Sequence, residues 1–85
     1  VRPNPFSLGT QIEYMLPQAG HVQLRIYDPA GRKVRTLVDQ WAEPHQQAAA
    51  WDGRDATGAP VPAGAYFLRL EANGEVRTAK LTLTR

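Results

Sequence analysis

Apolar and polar residues alternate along most of this chain, and a period of two restricts it to β-strands. The alternation is cleanest between His21 and Tyr27, where Val22, Leu24 and Ile26 are separated by polar residues. Comparable segments span residues 11–16, 66–71 and 79–84. A strand with one buried face and one wet face produces this pattern, which is typical of antiparallel sheets. No segment keeps the spacing of an amphipathic helix for long enough to form one, so the chain is predicted to be all-β.

Turn sequences separate these segments and indicate how they pair. Asp28-Pro29-Ala30-Gly31 has Asp, Pro and Gly at the positions that a type I turn favours. Asn73-Gly74 is a strong hairpin sequence, because both residues tolerate a positive φ, and it predicts that residues 65–72 pair with residues 75–84. Pro17–Gly20 divides two further strands. About seven short strands at this spacing predict an immunoglobulin-like antiparallel β-sandwich, with a small β-barrel as the alternative.

Two segments break the regular pattern. In residues 33–40 the apolar residues are Val34, Leu37 and Val38, so the alternation slips once, and a β-bulge or an edge position is expected there. Pro3 and Pro5 lack the N–H that the interior of a sheet needs, which predicts an edge strand or an extended lead-in at the start of the chain.

The largest apolar side chains identify the expected core. Within residues 45–52 the inward positions are predicted to be Gln47, Ala49 and Trp51, where small alanines make room for the indole. Trp51 and Tyr66 are the natural anchors, because burying one such ring removes about 150–250 Å² from water. The residues expected in the core on this basis are Trp51, Tyr14, Leu24 and Leu68.

Composition excludes several classes of protein. Ten basic and eight acidic residues give a net charge of only +2, and the bases form no dense stripe of the kind that binds nucleic acid. No apolar run approaches the roughly 20 residues of a membrane span. Cysteine is absent, which excludes disulfides and zinc–cysteine sites. Since the chain starts at Val1 without an initiator Met or a signal-peptide pattern, we expect residues 1–85 to be one domain of a longer polypeptide.

Residues that could carry catalysis are few and scattered. His21 and His45 are the two histidines, and Ser7 is the one serine, placed beside Pro5 and Phe6 rather than on a nucleophile elbow. Nothing in the sequence recommends a triad or a cofactor site. We therefore expect neither an enzyme nor a bound cofactor.

The loop from Asp52 to Gly64 contains the weak candidates for a metal site, Asp52 and Asp55. Calcium needs six to eight oxygen ligands, and this loop lacks the spacing of a calcium-binding ladder. The favoured interpretation is that both carboxylates cap their own backbone in Asx-turns, so no metal is expected.

Carbohydrate binding is an alternative function that the sequence leaves open. Secreted sandwich modules stack sugar rings on exposed aromatic side chains, and Trp41, Tyr27 and Phe67 are candidates by position. Single exposed aromatic residues are also common on ordinary protein surfaces.

Five motifs together resemble a known family. In chain order they are Pro3-Asn4-Pro5-Phe6, Tyr27–Arg32, Trp51–Asp55, Pro62–Tyr66 and Lys80–Leu83. Their order and spacing resemble the immunoglobulin-like domain of flagellar hook-capping proteins and, more closely, the related C-terminal sorting domains of type IX secretion cargo. The resemblance covers essentially all 85 residues.

This resemblance implies a seven-stranded sandwich at the C-terminus of a secreted, multidomain bacterial protein that is attached to the cell surface or outer membrane. It implies a non-catalytic module that directs secretion or tethers its parent, such as a glycoside hydrolase, through the type IX machinery or components of the cell envelope. A hook-capping domain is the alternative within the family, and the sequence gives no indication of oligomeric state. The sorting motif carries over to Pro62, Gly64, Tyr66, Lys80, Leu81, Leu83 and Arg85.

Overall fold

Seven β-strands follow one another in a computed structural model that describes residues 5–6 and 10–84, with side chains from residue 11 onward. The strands are β1 (Pro5–Phe6), β2 (Thr10–Leu16), β3 (Gly20–Tyr27), β4 (Lys33–Ala42), β5 (His45–Trp51), β6 (Gly64–Ala72) and β7 (Glu75–Leu83). Within the described ranges there is no helix that could cross a membrane. The prediction of an all-β chain is confirmed.

The strands form two separate sheets, so the architecture is a sandwich rather than a closed barrel. The larger sheet has the order β1-β7-β6-β3-β4, and the smaller sheet pairs β2 with β5. Neighbouring strands are antiparallel except β1, where Pro5 and Phe6 run parallel to Thr82 and Leu83 of β7. The prediction of an antiparallel β-sandwich is confirmed, and the pairing of β1 with β7 is the one parallel pairing among the described strands. β1 lies at the edge of the sheet, a position that tolerates a proline such as Pro5.

The inward faces of the two sheets meet in one apolar core. In β3, Val22, Leu24 and Ile26 are fully buried and the residues between them reach solvent. Each buried side chain of this size contributes about 1.5–3 kcal/mol by leaving water, which matters in a chain without cysteine. The buried cluster consists of Ile12, Tyr14, Leu16, Val22, Leu24, Ile26, Trp51, Val61, Tyr66, Leu68, Leu70, Leu81 and Leu83.

Two tight turns connect the strands of the larger sheet as the sequence predicts. In the turn from β3 to β4, Gly31 donates its N–H to the carbonyl of Asp28 at 2.9 Å. In the hairpin from β6 to β7, Asn73 and Gly74 both have positive φ, 52° and 78°. That two-residue turn sets the register in which Ala72 lies opposite Glu75.

Strand β4 is both an edge strand and an irregular one. Two of its residues, Val34 and Leu37, have no partner in the pairing of β4 with β3. A residue skipped in this way forms a β-bulge, which turns the following side chains relative to the sheet. The slipped alternation in the sequence therefore has a local cause, and Val34, Leu37 and Val38 all pack against the core while staying partly exposed.

Candidate functional site

The loop between β5 and β6 is closed by its own hydrogen bonds. Val61 donates its N–H to the carbonyl of Gly53 at 3.0 Å, and Asp55 donates its N–H to the carbonyl of Ala59 at 2.9 Å. The side chain of Arg54 adds a bond to the carbonyl of Gly58 at 2.9 Å. The loop is therefore an ordered element that is held together by hydrogen bonds among its own residues.

The two carboxylates proposed as weak metal candidates are engaged inside this loop. Asp55 Oδ1 accepts hydrogen bonds from Thr57 Oγ1 at 2.6 Å, from Thr57 N at 2.9 Å and from Ala59 N at 3.1 Å. The bond from the Thr57 hydroxyl is the main reason that the pKa of Asp55 lies below its ordinary value. Asp52 Oδ1 accepts from Arg35 Nη1 at 2.7 Å and from Arg54 N at 3.1 Å. In the described part of the chain, no three His, Cys, Asp or Glu residues form a group that could hold a metal ion.

Trp51 and Tyr66 join this loop to the core. Their rings meet edge to face, with centroids 5.3 Å apart. Trp51 Nε1 donates to the carbonyl of Arg54 at 2.9 Å, and the Tyr66 hydroxyl donates to the carbonyl of Pro62. The two motifs that contain Trp51 and Tyr66 therefore close one end of the sandwich, and this structural role accounts for their residue types.

The residues carried over as a sorting motif come together where β6 begins and β7 ends. Gly64 lies opposite Leu83, and Tyr66 lies opposite Leu81. Within this group, Tyr66, Leu81 and Leu83 are buried, whereas Pro62, Gly64 and Lys80 are exposed. Arg85 lies outside the described residues. Of the described members of this group, Pro62, Gly64 and Lys80 are therefore the ones accessible from outside the folded domain.

Neither histidine forms a catalytic arrangement with the other residues that the structure describes. His21 Nε2 lies 2.6 Å from Asp39 Oδ1, in an exposed pair that links β3 to β4. His45 begins β5 with a φ of 80°, so its backbone makes the turn that follows β4. Ser7 lies outside the described residues.

A groove of about 520 Å³ lies beside β2. It is lined by apolar parts of β2 and of the β6–β7 hairpin, including Leu16, Leu70 and Ala79. Met15 at its rim is 62% exposed. The charged groups there, Glu75 and Arg77, form an ion pair with each other at 3.2 Å.

The aromatic residues proposed as sugar contacts all lie on the outer face of the larger sheet, but not together. Tyr27 and Phe67 are direct neighbours across β3 and β6. Trp41 lies opposite His21, six residues along β3 from Tyr27, which is about 20 Å at 3.3 Å per residue. Only the pair Tyr27 and Phe67 can contact the same small part of a ligand.

Two arginines that no sequence pattern singled out lie next to this aromatic pair. Arg25 and Arg69 are directly opposite each other on β3 and β6. Alternation indicates that each points outward, but their meeting depends on the pairing of β3 with β6, which are separated by 36 residues and share no turn. No local sequence pattern encodes such a pairing.

The fold and these surfaces define the chain as an immunoglobulin-like β-sandwich module. A sequence model of the FlgD Ig-like domain matches residues 7–76. The chain belongs to this family.

Two FlgD proteins are among the solved structures that resemble the chain. FlgD from Xanthomonas campestris, whose hook capping is essential for flagellar assembly, is 26% identical with a TM-score of 0.69, and the match covers 89% of this chain and 56% of that one. FlgD from P. aeruginosa is 21% identical with a TM-score of 0.70, over 85% of this chain and 57% of that one. The chain thus spans a little over half the length of each. No protein with curated annotation matches it.

These comparisons support the hook-capping relation that the motifs suggested. They give no support to the closer resemblance to type IX sorting domains, on which the main functional expectation rested. The type IX expectation relied partly on Trp51–Asp55 and Pro62–Tyr66. These motifs build the fold, so they do not distinguish a sorting domain from a hook-capping domain.

Proposed function

We propose that this chain is the non-catalytic immunoglobulin-like domain of a longer, hook-capping type of protein, and that it acts by binding protein subunits during flagellar assembly. The observation that carries the proposal is the family match over residues 7–76. The Xanthomonas campestris relative acts in hook capping, so the flagellar hook is the assembly to which we propose that this domain contributes.

The geometry is consistent with a module that works through contact. The carboxylates of Asp52 and Asp55 are held in place by hydrogen bonds within their own loop. A sandwich whose core is closed by Trp51 and Tyr66 presents fixed surfaces, and fixed surfaces lower the entropic cost of binding a partner.

Deleting the coding segment for residues 1–85 from the parent gene, in the organism that encodes it, tests this proposal. Hooks are counted by electron microscopy and swimming is scored in soft agar. We expect deletion to abolish hook completion and a plasmid copy to restore it. A plasmid copy with Trp51→Ala should fail to restore it, because that change removes the core anchor. Normal hooks in a strain whose truncated parent is still produced would refute the proposal.

Sorting to the cell surface through the type IX machinery is a second candidate. It rests on the resemblance of the closing motif Lys80–Leu83 to that of type IX sorting domains. In β7, Lys80 and Thr82 are exposed while Leu81 and Leu83 hold the strand to the core. Strand β7 therefore has an exposed polar face, and its buried leucines hold it against the core.

A reporter fused to residues 1–85 in a type IX-competent host tests this second candidate. Delivery to the surface, lost in a matched fusion carrying Lys80→Ala and Thr82→Ala, is the expected result for a sorting domain. Lys80→Ala and Thr82→Ala both lie on the exposed face of β7, so the fusion that carries them should fold. A reporter that stays in the periplasm with the intact domain would exclude the sorting role.

A further inference from the structure

The outer face of the larger sheet carries a row of aromatic and cationic side chains, of which only Lys80 belongs to a surface that a function proposed above uses. Register places Lys80 opposite Phe67, Phe67 opposite Tyr27 and Tyr27 opposite Lys33. Residues directly opposite one another share a face of the sheet. The row therefore crosses four strands, or about 14 Å at 4.8 Å per strand, with two rings in the middle and an ammonium group at each end.

A second row of the same face lies two residues away along the strands. Arg25 and Arg69 are opposite each other at its centre, with Thr36 and Thr78 on their outer sides. Like charges directly opposite in a sheet cost stability. The charge of Arg69 is partly balanced by Glu71, whose Oε1 lies 2.7 Å from Arg69 Nη2. Among the described residues, Arg25, Lys33 and Lys80 take part in no ion pair, and the buried Nε of Arg25 has no hydrogen-bond partner.

A shallow depression of about 310 Å³ opens at these rows. Tyr27, Phe67, Arg69 and Thr78 line it, and the turn at Asp28–Gly31 forms one wall. Phe67 is 39% exposed, so part of its ring reaches solvent. Asp28 adds little negative charge to the site, because its carboxylate is bonded to Arg32 Nε at 3.1 Å and to Arg32 N at 2.8 Å.

We propose that these two rows bind a polysaccharide that carries carboxylates, with sugar rings against Phe67 and Tyr27 and carboxylates against Arg25, Arg69 and the flanking lysines. Guanidinium groups match carboxylates in a two-bond geometry, and an anion between Arg25 and Arg69 relieves their mutual repulsion. The adjacent rings favour a sugar chain over an acidic protein segment, because two neighbouring rings beside cations suit a ligand in which every unit has both a ring and a charge. The site does not depend on the hook-capping role.

Binding of the full 85-residue chain to polygalacturonate, followed by calorimetry, tests the proposal. Methyl-esterified pectin supplies the same rings without the charge, and polyglutamate supplies the charge without the rings. We expect saturable binding to polygalacturonate alone, weakened by added salt because the contacts are ionic. Phe67→Leu and Lys80→Gln should each weaken it about tenfold, which corresponds to losing one stacking or charge-assisted contact.

Trp41→Ala and Arg77→Gln are matched controls, because they remove an exposed ring and an exposed cation outside the two rows. Their affinity should stay within about twofold of the unchanged chain, and a thermal melt of every variant verifies folding. Equal binding to polyglutamate, with no loss in Phe67→Leu, would overturn the proposal in favour of a surface for acidic proteins. Absence of saturable binding to polygalacturonate would overturn it as well. Neither result would alter the hook phenotype expected for the proposed function.

Discussion

The indole ring of Trp51 meets the ring of Tyr66 edge to face, with an interplanar angle of 72°. This is the geometry in which the positive edge of one aromatic ring points at the negative face of the other. Both side chains are also tied to the loop between β5 and β6 through Arg54 and Pro62. The contact therefore joins the last residue of the smaller sheet to a central strand of the larger one.

Replacing Trp51 with alanine should lower the free energy of unfolding by about 3–5 kcal/mol, because a fully buried indole leaves a cavity that its neighbours fill only in part. Denaturant unfolding followed by circular dichroism measures the change. Trp41→Ala is the matched control, since that indole is 63% exposed, and it should change stability by no more than about 0.5 kcal/mol. Equal effects of the two changes would show that Trp51 is not an anchor of the core.

Tyr66→Phe should lower the free energy of unfolding by about 1 kcal/mol, because it removes the hydrogen bond to the Pro62 carbonyl and keeps the ring. Tyr66→Leu removes the ring contact with Trp51 as well and should cost more. The same unfolding measurement distinguishes the two. A Tyr66→Phe variant as stable as the unchanged chain would show that the hydroxyl bond adds nothing to closure of the loop.

Gly20→Ala should destabilise the chain by about 0.5–1.5 kcal/mol. A methyl group there would overlap the side-chain oxygen of Asn73, and moving that side chain breaks its bond to the carbonyl of Gln18 at 3.1 Å. In an Asn73→Gly background there is no side chain to displace. The cost of Gly20→Ala should then disappear, and a double-mutant cycle in urea measures this coupling. A cost that persists in that background would contradict the mechanism.

Acid should weaken the β5–β6 loop through Asp55. The pKa of this carboxyl is lowered in the folded state, chiefly by the Thr57 hydroxyl. A lowered pKa means stability that is fully present above the unfolded value of 3.8 and is lost as the pH falls through the folded value. The melting temperature of Asp55→Asn should therefore fall less between about pH 5 and pH 2 than that of the unchanged chain. Parallel curves would exclude a role for Asp55 in acid sensitivity.

Arg25→Gln should stabilise the chain by about 0.2–1 kcal/mol, because it removes the like-charge pair with Arg69 and keeps most of the side-chain stem. The gain should shrink in high salt, which screens the repulsion. Arg77→Gln, which lies opposite Leu70 instead of a cation, is the control. A loss of stability in Arg25→Gln at low salt would show that the two arginines are compensated by other groups.

The sequence was sufficient for features that depend on near neighbours. Asn73-Gly74 predicted the hairpin of β6 and β7, and the alternation from His21 to Tyr27 predicted which side of β3 is buried. The slip at Leu37 predicted an irregular or edge strand, and β4 is both.

The remaining features depend on contacts between distant parts of the chain. The parallel position of β1 beside β7 and the meeting of Arg25 with Arg69 both require strands that no turn connects. Such pairings are selected by the packing of the whole core, so a local pattern cannot reveal them. For the same reason the sequence identified Tyr27, Phe67 and Trp41 together as candidates, whereas the sheet separates Trp41 from the other two.

The two tryptophans of this chain occupy opposite surroundings, and the difference provides two intrinsic optical probes. Trp51 is 1% exposed and Trp41 is 63% exposed, and indole emission moves to longer wavelength as water reaches the ring. In a Trp41→Phe variant, all remaining indole fluorescence would come from the interior. In a Trp51→Phe variant, it would come from the far end of the outer sheet face. One fluorimeter could thus follow unfolding and surface contacts separately, without any attached dye.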